Sequence, residues 1–244
     1  MDSAKLKKLV SNNVVVVVLI LLCIGFGLSN KTFFGGRNVS NILSQMCTNA
    51  LLASGLTYVI ILGGIDISVG SIAGVAGVIV SFIGLRFPDM NVPFAMFLII
   101  TTGIVVGALC GLINGVLIAY FNVIPMICTV STMTALRGLA FILTGGQPVY
   151  GLPTSFAFLG ASRVIPTQTM PNGAVPVIVI FTTIVVTIMH ILLSKTVFGR
   201  HVFAVGSNSN VAHLSGINVK KINLISYIIC GVMAGLCGVC IASK

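Results

Sequence analysis

The sequence predicts an all-α integral membrane protein, a polytopic helical bundle with about seven membrane-spanning helices. Hydrophobic residues make up 57% of its 244 residues and charged residues only 7%, whereas soluble domains carry about 25% charged residues. Its mean hydropathy is +1.17. Several apolar stretches also approach the roughly 20 residues that a helix needs to cross a bilayer. This composition is typical of a protein embedded in a membrane.

The predicted spans follow these apolar stretches in order. They lie at 13–28, 43–62, 70–85, 94–119, 126–143, 174–193 and 223–241. Three lysines precede the first span as they would in a signal peptide, but no Ala-x-Ala-like cleavage site follows, so we interpret it as an uncleaved span. The region 43–85 is too long for one crossing at 1.5 Å per residue. It forms either two spans joined at Gly63–Gly70, or one span followed by a re-entrant segment.

Basic residues predict the orientation. The net charge of +10 reflects a shortage of acidic residues, and the cations cluster near span ends, which favours membrane topology over nucleic-acid binding. With the N-terminus in the cytoplasm, seven cations lie inside (Lys5, Lys7, Lys8, Lys195, Arg200, Lys220 and Lys221) and four outside (Lys31, Arg37, Arg86 and Arg163). We therefore expect 194–222 to be a cytoplasmic loop and 144–173 an external one.

Two features of these spans and loops concern packing. Four glycines, Gly103, Gly107, Gly111 and Gly115, recur every fourth residue of the fourth span, and Gly231 and Gly235 repeat the spacing in the seventh. Small residues at this spacing let helix backbones approach closely, so we expect a compact bundle.

The external loop carries Pro148, Pro153, Pro166 and Pro171 around Phe156, Phe158 and Leu159. Its apolar cluster either folds back or meets a partner protein, and we favour folding back.

The chemistry that the chain lacks narrows the function. No Gly-Lys dipeptide occurs, so there is no P-loop, and no Gly-x-Ser-x-Gly elbow is present. The three histidines have no zinc-type arrangement, and all seven cysteines fall in apolar segments, including the Cys237–Cys240 pair. We predict no catalytic residue, no metal, no cofactor and no disulfide framework, so a membrane enzyme is the least favoured class.

The segment Gly-Gly-Ile-Asp-Ile-Ser-Val-Gly at 63–70 contains Asp66, one of three acidic residues in the chain. An aspartate within a membrane helix costs roughly 2.5–3.5 kcal/mol on insertion scales, so it usually has a partner or a function. The surrounding glycines indicate a broken or sharply turned helix, whose exposed backbone can face a solute path. Alternatively, Asp66 caps the helix that begins at Ser68.

Arg137 is the second charged residue in apolar surroundings, about six residues before the external end of its span. It either extends to the membrane interface or faces the bundle interior, paired with Asp66.

In the cytoplasmic loop, Ser207 and Asn208 can cap a short helix through Val211–Leu214, with Gly216 after its end. So short a helix is not stable alone, and we expect it to dock onto its own bundle or another subunit.

Three segments together resemble one family. They are 63–70, Arg-Gly-Leu at 137–139 leading to Thr-Gly-Gly-Gln-Pro-Val at 144–149, and Phe-Gly-Arg at 198–200 through Ala-Val-Gly-Ser-Asn at 204–208 to Ser-Gly-Ile at 215–217. In this order and spacing they resemble the permeases of bacterial ATP-binding cassette sugar importers of the ribose/galactoside type. The likeness runs from about residue 40 to the end.

The resemblance implies one permease domain over 1–244, in the bacterial inner membrane among its lipids. Its implied partners are a cytoplasmic ATPase, an extracytoplasmic sugar-binding protein and a second permease copy or paralogue. Combined with the helix break, it assigns a translocation pathway to Gly64, Asp66, Ser68, Gly70, Arg137 and Gln147. It assigns ATPase coupling, within 194–222, to Gly199, Arg200, Gly206, Asn208 and Gly216.

The family's domain usually continues past the point where this chain stops, Ile241–Lys244. The sequence is therefore expected to be a truncated product, an incomplete sequence or a shortened member. Two further alternatives to the importer permease stay open: a stand-alone secondary transporter driven by an ion gradient, and an inactive truncated fragment. The shortage of membrane acids argues against the secondary transporter.

Overall fold

The computed structural model describes residues 14–30, 32–164 and 175–244. This described part forms ten helices and one two-stranded antiparallel pair. In chain order they are α1 (Val14–Ser29), α2 (Gly36–Ile61), α3 (Val69–Arg86), α4 (Val92–Ala119), α5 (Pro125–Thr144), α6 (Thr154–Ala161), β1 (Arg163–Val164), β2 (Val175–Pro176), α7 (Val177–Lys195), α8 (Val197–Ser207), α9 (Ser209–Leu214) and α10 (Val219–Ala242).

The all-α polytopic fold is confirmed, and each predicted span overlaps one helix of at least 16 residues. Within the described ranges, five helices are long and apolar enough to cross a membrane by themselves: α3, α4, α5, α7 and α10. Helix α1 has 16 residues, and α2 begins at Gly36 rather than residue 43. These two additional turns of α2 are largely polar, and Arg163 fixes them by donating to Ser40 Oγ and Asn41 Oδ1, each at 2.9 Å.

Helix α10 forms the centre of the bundle, with α2, α3 and α4 packed around it. Every residue from Met233 to Cys240 is buried, as expected of a helix that is apolar on all sides. Cys237 and Cys240 are both completely enclosed there as free thiols. The interpretation of this CxxC spacing as buried packing is therefore confirmed.

Helices α4 and α10 run antiparallel with their backbones in contact. A Cβ on Gly103 would lie 3.0 Å from the carbonyl oxygen of Gly235, and one on Gly115 3.0 Å from that of Leu224. Between them, Gly107 faces the Gly231 carbonyl directly, and Gly111 faces Tyr227 and Ile228. Because no side chain separates the helices, the two backbones gain dispersion contacts along four turns.

The region after α5 folds back onto the bundle, as expected. Phe156 and Leu159 of α6 are buried, and a Cβ on Gly84 of α3 would lie 3.2 Å from Phe156. The prolines Pro166 and Pro171 lie outside the described residues. Burial of these apolar side chains, about 1.5–3 kcal/mol each, holds the short helix in place.

Candidate functional site

The chain between α2 and α3 makes a tight turn at 62–68. Gly63 has a φ of +77°, and its N–H donates to Ile60 O at 2.9 Å, while Gly64 N–H donates to Val59 O at 2.9 Å. This pair of bonds is a Schellman motif, which ends a helix and favours glycine at the left-handed position. Two helices joined by a turn are therefore present, and the second of them, α3, is long and apolar enough to cross a membrane.

Five residues around this turn form what we term the polar cluster: Asp66, Ser68, Asn114, Thr129 and Tyr227, each at most 4% exposed. Asp66 Oδ1 accepts from Ser68 N–H at 2.9 Å and from Ser68 Oγ at 2.6 Å. Ser68 Oγ in turn accepts from Asn114 Nδ2 of α4 at 2.9 Å. Asp66 therefore caps the turn immediately before α3 and links it to α4.

Helices α5 and α10 complete the polar cluster. Thr129 Oγ1 of α5 accepts from Ile67 N–H at 3.3 Å. Tyr227 of α10 brings its hydroxyl against Gly64, where a Cβ would lie 2.5 Å from that oxygen. Cys230 of the same helix is buried together with Tyr227 and Val59. A side chain at position 64 would therefore displace Tyr227 from the bundle centre.

Arg137 lies apart from this cluster. It is exposed on α5, and Asp66 Oδ2 accepts no hydrogen bond from the described residues. The ion pair considered between Arg137 and Asp66 is therefore not formed. The Asp66 carboxylate instead accepts a hydrogen bond from Ser68, which lies two residues away at the start of α3.

Arg137 instead lines a groove of about 570 Å³ between α3 and α5, together with Gly70 and Gln147. At Gly70 and at Gly74, which also lines the groove, a Cβ would meet no atom within 4 Å. The six predicted pathway residues thus fall into two adjoining places. Gly64, Asp66 and Ser68 belong to the 62–68 turn, while Gly70, Arg137 and Gln147 line the open groove that begins two residues later.

The segment 194–222 contains a helix that sequence reasoning missed, α8. Thr196 is its N-cap and accepts from Gly199 N–H at 3.2 Å, and Val202 and Val205 form its buried side. The signal was present as a threonine followed by apolar residues at helical spacing. Gly199 is buried against the Leu193 carbonyl, so the turn from α7 into α8 leaves no space for a side chain there.

Helix α9 has the caps that the sequence indicates. Asn208 Oδ1 accepts from the N–H groups of Asn210 and Val211 at 3.0 and 3.1 Å. Gly216, with a φ of +84°, follows the helix end. Val211 and Leu214 are 57% and 86% exposed, so this short helix presents two apolar side chains that the described chain does not cover.

The segment α8–α9 and the polar cluster lie at the same end of the bundle, joined through the last turns of α2. Gly206 of α8 packs against the Ile61 carbonyl. The buried Tyr58 hydroxyl donates to Met189 O of α7 at 2.6 Å, and its ring stacks on Phe198 with centroids 6.2 Å apart. Displacement of α8 would therefore move the residues that lead directly into the 62–68 turn.

Removing the Tyr58 hydroxyl tests the contact between α2 and α7. We expect Tyr58→Phe to lower the free energy of unfolding by about 0.5–1.5 kcal/mol, the net value of one hydrogen bond. Thermal unfolding in mild detergent measures it. Tyr150→Phe is the matched control, because Tyr150 is 79% exposed. Equal melting temperatures for both variants and the unmodified chain would contradict the structural role of this bond.

The family model and the curated relatives that match this chain all describe permease components of transport systems. Residues 38–244 match the family described as branched-chain amino acid transport system / permease component. The chain is 34% identical over 233 residues to the ribose import permease protein RbsC of Haemophilus influenzae, covering 93% of this chain and 68% of that protein. It is also 34% identical over 223 residues to the D-allose transport system permease protein AlsC of Escherichia coli (strain K12), covering 91% and 64%.

A third relative is the galactose/methyl galactoside import permease protein MglC of Salmonella typhimurium, 32% identical over 240 residues, covering 94% of this chain and 69% of that protein. The chain thus spans about two thirds of the length of these curated relatives. No solved structure matches.

Proposed function

Because the chain belongs to the family of branched-chain amino acid transport system permease components, we propose that it is a permease subunit of an ATP-binding cassette importer for a monosaccharide-type solute. It is a multi-pass protein of the inner membrane. Relatives named as ribose, allose and galactose permeases support the class of solute. In this proposal a separate ATPase subunit hydrolyses ATP, a binding protein delivers the sugar, and a second permease copy or paralogue completes the pathway.

The observation that carries the proposal is the seating of α8–α9 against the end of α2. The outer face of this pair is exposed, including Arg200, Asn208 and Leu214, so it is open to a cytoplasmic ATPase. Its inner face contacts Ile61 through Gly206. Movement of the docked ATPase would pass through Gly206 and Tyr58 to the 62–68 turn. We assign coupling to 194–222 on this basis, with Gly199 and Gly216 shaping its two bends.

The groove beside that turn is the proposed solute pathway. Sugars are uncharged and rich in hydroxyl groups, so the Arg137 guanidinium would be a suitable donor, and the Gln147 amide a suitable donor and acceptor. Backbone at Gly70 and Gly74 is free of side chains there. Tight binding is unnecessary, because the permease must release its cargo. The protein would supply alternating access and no catalytic residue.

The test is affinity purification of the tagged chain from its native membrane in mild detergent, with identification of whatever accompanies it. We expect a stoichiometric P-loop ATPase. Reconstitution of this complex with its binding protein should give uptake that depends on ATP. A stable chain that purifies alone and drives uptake without an ATPase would overturn the proposal in favour of a secondary transporter.

A further inference from the structure

The segment 194–222 carries cations without any carboxylate to neutralise them. It contains Lys195, Arg200, Lys220 and Lys221 and no aspartate or glutamate. The aspartates of the chain are at positions 2, 66 and 89. Asp66 is buried and accepts a hydrogen bond from Ser68. Asp89 follows the far end of α3, an 18-residue helix about 27 Å long, and is therefore remote from the polar cluster.

Two of these lysines are placed where a helix disfavours them. Lys220 and Lys221 lie in the first turn of α10, after its N-cap Asn218 and with no acidic residue in that turn. The positive end of the helix dipole therefore adds to their charge. Lys220 Nζ lies 5.8 Å from the centroid of the Tyr120 ring, a weak compensation when exposed. An external anion would relieve this repulsion.

A cleft of about 670 Å³ opens beside Lys220, between the end of α4, α9 and the start of α10. Its lining includes four asparagines, together with His213 and Lys220; the asparagines are Asn122, Asn210, Asn218 and Asn223. Amide groups donate and accept hydrogen bonds, so they suit a polypeptide backbone and its carboxylates. No carboxylate of the described chain lines this cleft.

The rim of the cleft indicates a protein occupant. Val211 and Leu214 of α9, the helix whose Asn210 and His213 line the cleft, are 57% and 86% exposed. Exposed apolar side chains beside polar ones are typical of protein interfaces. A lipid headgroup would match the lysines, but it would leave the amide-lined cleft without a peptide-like partner.

We propose that this cleft receives an acidic segment of the ATPase subunit, whose carboxylates lie against Lys220 and His213, with Lys221 adding to the positive charge nearby, while its apolar residues cover Leu214. This proposal rests on the function proposed above. The charge complementarity sets the orientation and speed of docking, and the apolar contact at Leu214 adds the non-directional part of the affinity. The partner surface is thus specified as acidic with an apolar centre.

Charge reversal tests the proposal in the assembled complex. The double variant Lys220→Glu/Lys221→Glu should weaken ATPase retention by about tenfold or more at about 50 mM salt. Its folding should not suffer, because acidic residues suit the first turn of a helix. The control is Arg37→Glu/Arg86→Glu, two exposed cations at the other end of the bundle. Lys220→Gln/Lys221→Gln should fall between.

Salt provides the second readout. Raising salt from about 50 to about 500 mM should weaken ATPase retention by the unmodified chain and by the control, and should change the reversed variant in the opposite direction or not at all. Equal retention by the reversed variant and the unmodified chain at every salt concentration would overturn the proposal. So would unchanged retention combined with lost binding to phosphatidylglycerol vesicles, which would assign the lysines to lipid.

The failure of the proposed function looks different. If the unmodified chain retains no P-loop ATPase at any salt concentration, the importer proposal fails and the docking proposal falls with it. If the unmodified chain retains the ATPase and only the charge series has no effect, the docking proposal alone is overturned.

Discussion

Replacing Gly107 by valine is expected to prevent the bundle from assembling. A Cβ at this position would strike the Gly231 carbonyl, and a Cβ on Gly231 would strike the Gly107 carbonyl, so the contact is reciprocal backbone against backbone. Neither helix can relieve the clash by rotating a side chain. Inserted atoms in a packed core cost about 1–3 kcal/mol where neighbours can yield. Here we expect about 3 kcal/mol or more, because α4 and α10 must separate.

The measurement is the yield and melting temperature of monodisperse protein in mild detergent. Valine is more apolar than glycine, so membrane insertion of α4 itself should not suffer. Gly138→Val is the control, because a Cβ on Gly138 of α5 would meet no atom within 4 Å. We expect the control to behave as the unmodified chain. Equal melting temperatures for Gly107→Val and Gly138→Val would show that α4 and α10 are not in backbone contact.

Local signals explain why much of this fold was predictable. Span positions follow from apolar length, and the bounds of α3, α4 and α5 fall within two residues of expectation. The caps Asn208 and Gly216 are likewise local, since each acts on residues that adjoin it. The polar first two turns of α2 do not follow from local sequence because their stabilising partner, Arg163, is more than a hundred residues away in sequence.

The candidate site divides in the same way. A turn at 63–70 could be read from its glycines, but the link from Ser68 to Asn114 joins residues 46 apart and leaves no periodic signal. In the sequence, Asn114 is a single polar residue within an apolar span, and nothing near it indicates its partner. Tyr58 was overlooked for a similar reason, because its partner Met189 is 131 positions away. Pairing Asp66 with Arg137 was wrong, since complementary charge alone could not reveal the closer Ser68.

The atom through which Asp66 acts can be identified by two substitutions. Its Oδ1 accepts both hydrogen bonds from Ser68. Asp66→Ala removes that acceptor and leaves the buried Ser68 N–H unpaired, at a cost of about 1–3 kcal/mol. We expect the assembled complex to survive this loss but uptake to be abolished. The 62–68 turn, which lies between α8 and the groove, would lose its fixed geometry.

Asp66→Asn separates the acceptor from the charge. The amide oxygen can accept both bonds from Ser68, and an amide costs less to bury than a carboxylate. We therefore expect Asp66→Asn to keep the melting temperature and most of the uptake, measured per assembled complex in vesicles. If Asp66→Asn loses uptake as completely as Asp66→Ala while the complex stays intact, the negative charge at Oδ2 is required. Asp66 would then act on the solute or on a moving cation rather than as the cap of the turn.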